Sequence, residues 1–407
     1  MAVPVSYAGV ELLYEEGGRY DCAAPEEVPA MLQRYGVAVL PALLTPKECA
    51  AMNDGMWATC ARLTSGLAVP LRRGDPSTYR SLFDLAPLHG GLFQHFGWGH
   101  AQYVWDVRGN PKVAAAHAAV HGCVPEDLLV SFDGVACALG ALLPGGRARG
   151  RFHGECWLHT DQRLASNGAE CVQSWVTANA IRPGDATLRF LEGSHELHGA
   201  FAAAFEITGA RAAADWFKLE GDHREWYRAR GCRDACLAVP AGSQVFWDSR
   251  TIHSGQTWLP REGWQEEGPR EARNVVYVCY QPRLPGLRGG LPTRVRNLRR
   301  GVFGDDPCLQ LRLTTHWVSA RTKLFPRHPR LYGRRPFPAG SRPADLSDPW
   351  SFVPPLPPPV LTPWMRRLAG LDDRAAAFSP PRRHAASRKL NRAPGLSVAF
   401  GDRPGRL

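Results

Sequence analysis

Lysine is almost missing from this 407-residue chain, which has five lysines against 44 arginines. Three other shortages bound it further. No uninterrupted apolar run approaches the ~18 residues that a membrane-crossing helix needs, so no such helix is expected. The first 18 residues carry Glu11, Glu15 and Glu16 and no basic stretch leading into an apolar one, so a secretory signal is not expected and a cytoplasmic location is. The eleven cysteines lack paired spacing, and Cys232 and Cys236 have no matching second pair. That argues against a zinc knuckle or a disulfide framework and for buried or free thiols in a reducing compartment.

What is present is enough for a sizeable core, since 44% of residues are hydrophobic and the length suits one large or two ordinary domains. Charge is uneven. Residues 283–407 hold 24 Lys+Arg against 7 Asp+Glu, or +17, which leaves 25 against 31, or −6, for residues 1–282. The net +11 therefore sits in the C-terminal third, where Arg294, Arg296, Arg299 and Arg300 cluster. A solvated surface explains this plainly; attraction to nucleic acid, an anionic membrane or an acidic partner is the other reading.

Local signals place three early helices. Pro and two Glu open Pro25–Tyr35 and Gly36 follows it; Thr45-Pro46-Lys47-Glu48 has the form of a capping box; Asn110-Pro111 starts a third helix that Gly122 ends. A short strand fits Val37–Leu40. From Leu128 the pattern changes to short apolar runs between turn residues: Leu128–Phe132, Val135–Leu143, Cys171–Ile181, Ala186–Glu192, Ser243–Trp247 and Asn274–Tyr280. Helical stretches over Glu196–Phe205 and Ala210–Leu219 interrupt them. Such spacing predicts a mainly β antiparallel sandwich or barrel with flanking α.

The expected organisation is a helical supporting region over 1–122 and a catalytic β core over 123–283. An extension rich in Arg, Pro and aromatics follows over 284–371, with a disordered basic tail over 372–407. Val353-Pro354-Pro355-Leu356-Pro357-Pro358-Pro359 favours extended polyproline conformation, and Trp317, Leu324, Phe325, Tyr332, Trp350, Phe352 and Trp364 would anchor a wrapping path.

The chemistry-bearing segment is Trp157-Leu158-His159-Thr160-Asp161-Gln162. His159 and Asp161 stand two apart, so on an extended segment both side chains share a face. A third ligand must come from elsewhere, and His253, beginning the loop after the Ser243–Trp247 strand, is placed to supply it. Two His and one carboxylate suit a non-haem Fe(II) centre that keeps half its coordination sphere open. His153, six residues before His159, is a rival ligand but reads better as a loop or supporting residue. His195, in Gly193-Ser194-His195, reads as turn structure, and Gln162 would face away from the ligand pair.

The order of these segments resembles the phytanoyl-CoA dioxygenase family of Fe(II)/2-oxoglutarate oxygenases: His159-Thr160-Asp161-Gln162, a strand with Trp175, Gly184–His195, Gly242–Asp248, His253, then Arg273 ahead of Asn274–Tyr280. The likeness covers roughly residues 30–282. It implies a double-stranded β-helix (a jelly-roll, cupin-like core) packed by the N-terminal helices, with His159, Asp161 and His253 as iron ligands. It also implies Trp175 beside the 2-oxoglutarate site and Arg273 on the distal carboxylate. The co-substrates would be 2-oxoglutarate and dioxygen, with ascorbate as a reductant. Hydroxylation of a C–H bond in a small or lipid-like molecule would release succinate and carbon dioxide. Related halogenating enzymes carry a small residue at the carboxylate position, so Asp161 speaks for hydroxylation.

The interval from His253 to Arg273 is longer than the family shows, and Arg261 and Arg270 are rival anchors. Arg273 is preferred because it adjoins a strand that fixes its direction. An oxygenase acting on nucleic acid or protein through the basic region, and a non-catalytic barrel scaffold, are the competing readings.

Overall fold

A computed structural model of the chain describes residues 2–7, 10–85, 87, 91–139, 157–259, 271–283, 291–302, 309–311, 324–326 and 352–371. In chain order the first half forms strands β1 (Ala2–Tyr7) and β2 (Val10–Glu16), helix α1 (Val28–Tyr35), β3 (Val37–Leu40), α2 (Pro46–Leu63), β4 (Leu92–Phe93), α3 (Gln102–Arg108), α4 (Pro111–His121), β5 (Leu128–Val130) and β6 (Val135–Ala138). Then come β7 (His159–Thr160), β8 (Val172–Thr177), β9 (Thr187–Leu191), α5 (His198–Ala204), α6 (Gly209–Ala213), β10 (Phe217–Lys218), α7 (His223–Arg228) and β11 (Asp234–Ala238). β12 (Gln244–Asp248), β13 (His253–Gln256), β14 (Arg273–Val278), β15 (Tyr280–Pro282), α8 (Leu291–Val302) and α9 (Pro363–Ala369) complete the set used below.

The helix ends follow from local chemistry. At the start of α2, the Thr45 hydroxyl accepts from the Glu48 backbone N–H and the Glu48 carboxylate accepts from that of Thr45, satisfying two donors that the first turn would otherwise leave free. The Asn110 side chain caps α4 in the same way. α1 ends at Gly36 with φ of 76°, and a Cβ there would fall 2.5 Å from Thr251 Oγ1, so glycine is required on both counts.

The strands form two large sheets. One runs β1-β2-β11-β9-β13-β7-β10, antiparallel except for the parallel β2–β11 pair. The other runs β3-β12-β8-β14-β6-β4 and is antiparallel throughout. A single apolar cluster takes Val39, Trp175, Val245 and Val275 from the six-stranded sheet and Leu188, Phe190, Ala235 and Leu237 from the seven-stranded one, so the sheets pack face to face. The outer face of the six-stranded sheet is covered too: Cys137, Val176, Val276 and Val278 share a cluster with Met56 of α2 and Trp105 of α3. Burial on both faces explains why β8, β12 and β14 carry apolar residues at both odd and even positions, as in Trp175–Val176, Val245–Trp247 and Val275–Val276. The architecture is mixed α/β with large antiparallel sheets, and the early helices pack around them as expected.

Three departures have physical causes. The hairpin β1–β2 was not foreseen within a region read as helical; it joins the seven-stranded sheet, and Pro4 is tolerated because β1 is the edge strand. Residues 210–219 are not one helix, since after α6 the chain extends as β10 to pair Phe217 with Thr160 and Lys218 with His159, tertiary pairing overriding local propensity. The run Val135–Leu143 is a strand only to Ala138, with residues 140–143 outside the described ones.

Residues 352–371 lie along α2 and α3. Arg62 donates to the Pro355 carbonyl, Val360 N–H to Gln102 Oε1, and Phe352, Val353, Met365 and Leu368 enter the helix-side cluster. Trp317, Tyr332, Trp350 and residues 372–407 lie outside the described residues. The nine described cysteines are all buried and unbridged.

One buried ion pair ties β9 to β11. Arg189 makes two hydrogen bonds of 2.8 Å to Asp234, and Arg224 adds two, of 3.0 and 2.6 Å. Burial alone would raise the Asp234 carboxyl, but the two guanidinium groups more than offset it and hold it below the usual carboxylate range. Because the folded value lies below the unfolded value of about 3.9, this stabilisation is in place at neutral pH and is lost as pH falls from there through the folded value. Asp234→Ala leaves Arg189 buried without its partner, and urea unfolding at pH 7 should show a loss of about 3–5 kcal/mol. A loss below about 1 kcal/mol, the scale of a surface pair, would contradict this account.

Candidate metal centre

Strand register builds the site. In the seven-stranded sheet His253 of β13 stands directly opposite His159 of β7, with Phe190 of β9 on its other side, so all three side chains share a face. The two imidazole centroids are 4.5 Å apart. Asp161 lies one residue beyond β7, where its N–H donates to the Ser249 carbonyl at 3.1 Å. Its Oδ1 is 3.5 Å from His159 Nε2 and its Oδ2 is 3.3 Å from His253 Nε2. The ligand atoms of the three residues all lie within 4.8 Å of one another.

The imidazoles are oriented by their own strands. His159 Nδ1 lies 3.0 Å from the Trp157 carbonyl and His253 Nδ1 lies 2.9 Å from that of Thr251. A carbonyl can only accept, so each Nδ1 carries a proton, and each Nε2 is the ring atom turned toward Asp161. Gln173 of β8 donates from Nε2 to Asp161 Oδ2 at 3.0 Å and so fixes the carboxylate from the opposite sheet. The three residues that the sequence singled out are thus brought together. One expectation needs correcting: His253 opens a strand rather than a loop, and ladder pairing, not a reach across the sheet, sets its position.

A cavity of about 210 Å³ lies over this group, between the sheets. Arg273 and Trp175 line it from the six-stranded side, together with Gln173, Trp247 and Tyr277. Burial raises the Tyr277 phenol, and the charge of the nearby Arg273 guanidinium opposes that rise. Arg273 Nη1, Trp175 Nε1, Trp247 Nε1 and Gln173 Oε1 are all buried and have no hydrogen-bond partner among the described residues. Leaving such atoms unpaired costs about 1–3 kcal/mol each, so four of them around one cavity mark a place shaped for a polar occupant. The residues fit the groups expected there. Two imidazoles and one carboxylate make the donor set of an open Fe(II) site, and an unpaired guanidinium edge suits a carboxylate.

Other sequence candidates fall as follows. Arg261, Arg270 and His153 lie outside the described residues. His195 is buried with Nε2 against the Gln33 carbonyl at 3.0 Å, a turn-supporting role. Gln162 is fully buried and holds the loop after Asp161: its amide donates to the Ser166 and Gly168 carbonyls and accepts from Glu170 N–H and the Ser249 hydroxyl.

Gln173, Tyr277, Asp133, Trp157 and Trp216 were missed. Strand alternation carried the signal for two of them, because Gln173 is two residues before Trp175 and Tyr277 four after Arg273, each on the cavity face. Trp157 stacks on His159 with centroids 4.7 Å apart and 19° between planes. Trp216, 49% exposed, leans over the same ring at 5.7 Å.

No family model matches the chain. A curated protein described as Ava biosynthesis cluster protein O, from Aspergillus versicolor, is 26% identical over 225 residues, which are 54% of this chain and 67% of that protein. Among solved structures, the non-heme alpha-ketoglutarate-dependent epimerase SnoN from nogalamycin biosynthesis is 17% identical, with a TM-score of 0.35 over 64% of this chain and 83% of that one. GlcNAc Inducible Gene 2 from Candida albicans is 12% identical, with a TM-score of 0.42 over 67% and 68%. Likenesses at this level describe those proteins, and the chemistry of this chain rests on its own side chains.

Proposed function

We propose that the chain is an Fe(II)/2-oxoglutarate-dependent oxygenase, built on a double-stranded β-helix, that hydroxylates an unactivated C–H bond of a small or lipid-like organic molecule and releases succinate and carbon dioxide. The observation that carries this reading is the convergence of His159, Asp161 and His253, with both Nε2 atoms turned toward Asp161, beside the unpartnered Arg273 Nη1.

His159, Asp161 and His253 would hold the iron, which when bound supplies dioxygen activation coupled to decarboxylation of the keto acid. Arg273 would take the distal carboxylate of 2-oxoglutarate, since its planar fork donates two parallel hydrogen bonds to such a group. Tyr277, already against the guanidinium, limits where that fork can turn. Trp175 walls the same region. Gln173 keeps Asp161 from rotating away from the imidazoles. Asp161 fills the position that must be vacated for halide binding, which favours hydroxylation. No described contact favours a nucleic-acid partner: α8 exposes Arg296, Arg299 and Arg300 around buried Leu298, as an ordinary amphipathic helix does.

Anaerobic Fe(II) titration of the full chain should show one tight site that Asp161→Ala removes while the circular-dichroism spectrum and melting transition persist. An unchanged titration in that variant would reject the ligand assignment. Gln173→Leu, which leaves all three ligands in place, should weaken iron binding or 2-oxoglutarate turnover about 10–100-fold, the usual cost of losing a hydrogen bond behind a ligand. Arg273→Met should raise the KM for 2-oxoglutarate about 10–100-fold, in line with about 1.5–3 kcal/mol for a hydrogen bond to a charged group. Succinate release followed over a range of 2-oxoglutarate concentrations reads this directly, and an unaltered KM would move the anchor elsewhere.

A further inference from the structure

The cavity has a second polar end that the iron and keto-acid reading does not use. Asp133 sits in the loop between β5 and β6, is 8% exposed, and lines the same cavity as His159 and Arg273. Its Oδ1 accepts from the Gly134 backbone N–H at 2.7 Å and from Gln94 Nε2 at 3.3 Å. Its Oδ2 has no partner among the described residues, and Asp133 makes no ion pair with Arg273 there.

The loop is held in place. Tyr277 N–H of β14 donates to the Gly134 carbonyl at 3.3 Å, and a Cβ on Gly134 would fall 2.3 Å from the Phe93 carbonyl, so β4 presses directly on it. Behind the loop, fully buried Arg108 donates from Nη2 to the Asp133 backbone carbonyl at 2.7 Å. Burial pulls the Arg108 guanidinium down to about 10, with the Asp133 carboxylate foremost among the influences opposing that fall. Arg108 thus holds the loop from behind, and what Asp133 presents to the cavity is its unpartnered Oδ2. The lining also includes the apolar side chains Leu92 and Leu188, and Trp157 and Trp216, which line it too, lie against the His159 ring.

We infer that Asp133 is the substrate-anchoring residue of this cavity, accepting a hydrogen bond from an O–H or N–H donor on a flat, largely apolar substrate whose body lies against Trp216. An ionised carboxylate can only accept. It is poorly matched to a second acid or an ether, and a buried one discriminates strongly because an unsuitable ligand leaves it dry and unpaired. The inference rests on the proposed function only for calling this molecule a substrate; its test reads binding.

The full-length chain, with no metal added, is titrated calorimetrically with three probes of one shape: 2-naphthol, 2-(aminomethyl)naphthalene and 2-methoxynaphthalene. The first two offer a donor and the third does not. At least one donor probe should bind about tenfold or more tighter than the ether, as a hydrogen bond to a charged group implies, and the two donor arms separate hydroxyl from amine recognition. Asp133→Ala should erase that preference while the ether still binds. Trp216→Ala should weaken all three alike.

Should Asp133→Ala fail to fold, as judged by its melting transition, the isosteric Asp133→Asn takes its place, and a loss of the aminomethyl preference is then expected. Equal binding of the three probes to the unaltered chain, binding of none, or a donor preference that survives both substitutions would overturn the assignment. A missing Fe(II) site with the donor preference intact would instead sink the oxygenase reading and leave Asp133 as a binding residue.

Discussion

The pairing of β7 with β13 is the constraint on which the rest of the site depends. β7 is only two residues long, yet it must present His159 and not Thr160 to the space between the sheets, and a slip of one residue would exchange them. The register is pinned from several directions. The Thr160 hydroxyl donates to the Ser249 carbonyl at 2.9 Å, the Trp157 indole N–H to that of Gly255 at 3.0 Å, and Leu219 N–H to that of Leu158 at 2.8 Å. Each bond ties a residue within two positions of His159 to a neighbouring segment. Because the backbone that fixes the strand also supplies the carbonyls beneath both imidazoles, ring orientation and strand register are one property. A site set on paired strands holds its geometry better than one carried on loops.

The opposite wall works by the same alternation. On β8 the positions that face the other sheet include Gln173 and Trp175, and on β14 Arg273, Val275 and Tyr277, all but Val275 lining the cavity, with Trp175 in register with Tyr277 and Thr177 with Val275. The residues between them, Val176, Val276 and Val278, turn outward into the helix-covered cluster. Burial of that outer face under α2 and α3 fixes the register of the sheet, and the register then aims Arg273 and Gln173. Packing that never touches the cavity thus determines its chemistry, and the polar residues on that outer side, Ser174 and Asn274, are hydrogen-bonded to His117 of α4 and to the Met52 carbonyl of α2.

What could be read from the sequence followed from how local each feature is. The ends of α1, α2 and α4 were legible because Gly36, Thr45, Glu48, Asn110 and Gly122 act within a few residues of themselves. β3, β8, β9, β12 and β14 were legible as apolar runs, and His159, Asp161 and His253 as ligand types in a recognisable order. β10 was not, because Phe217–Lys218 is extended only where it meets β7, a contact across more than fifty residues of chain. β1 and β2 were missed for a like reason: their place beside β11 comes from pairing between Leu13 and Ala235. Asp133 gave no signal at all. A lone acid in a turn after a strand is usually solvated, and only the closeness of β4, β14 and Arg108 makes it a buried one.

The same neighbours explain how the fold sustains so much unpaired polarity in one place. Four buried polar atoms without partners would together cost on the order of several kcal/mol, a large part of the net stability of a domain. They persist because the side chains that carry them are immobilised by surroundings that gain more than this from burial: Trp175 and Trp247 sit within the inter-sheet cluster, Gln173 is held by Asp161, and Arg273 by Tyr277. None can swing out to water without giving up its packing. Strain of this kind concentrates at functional sites. Here it means that whatever supplies the missing hydrogen bonds meets walls already in position, and that its binding energy is not spent on ordering them.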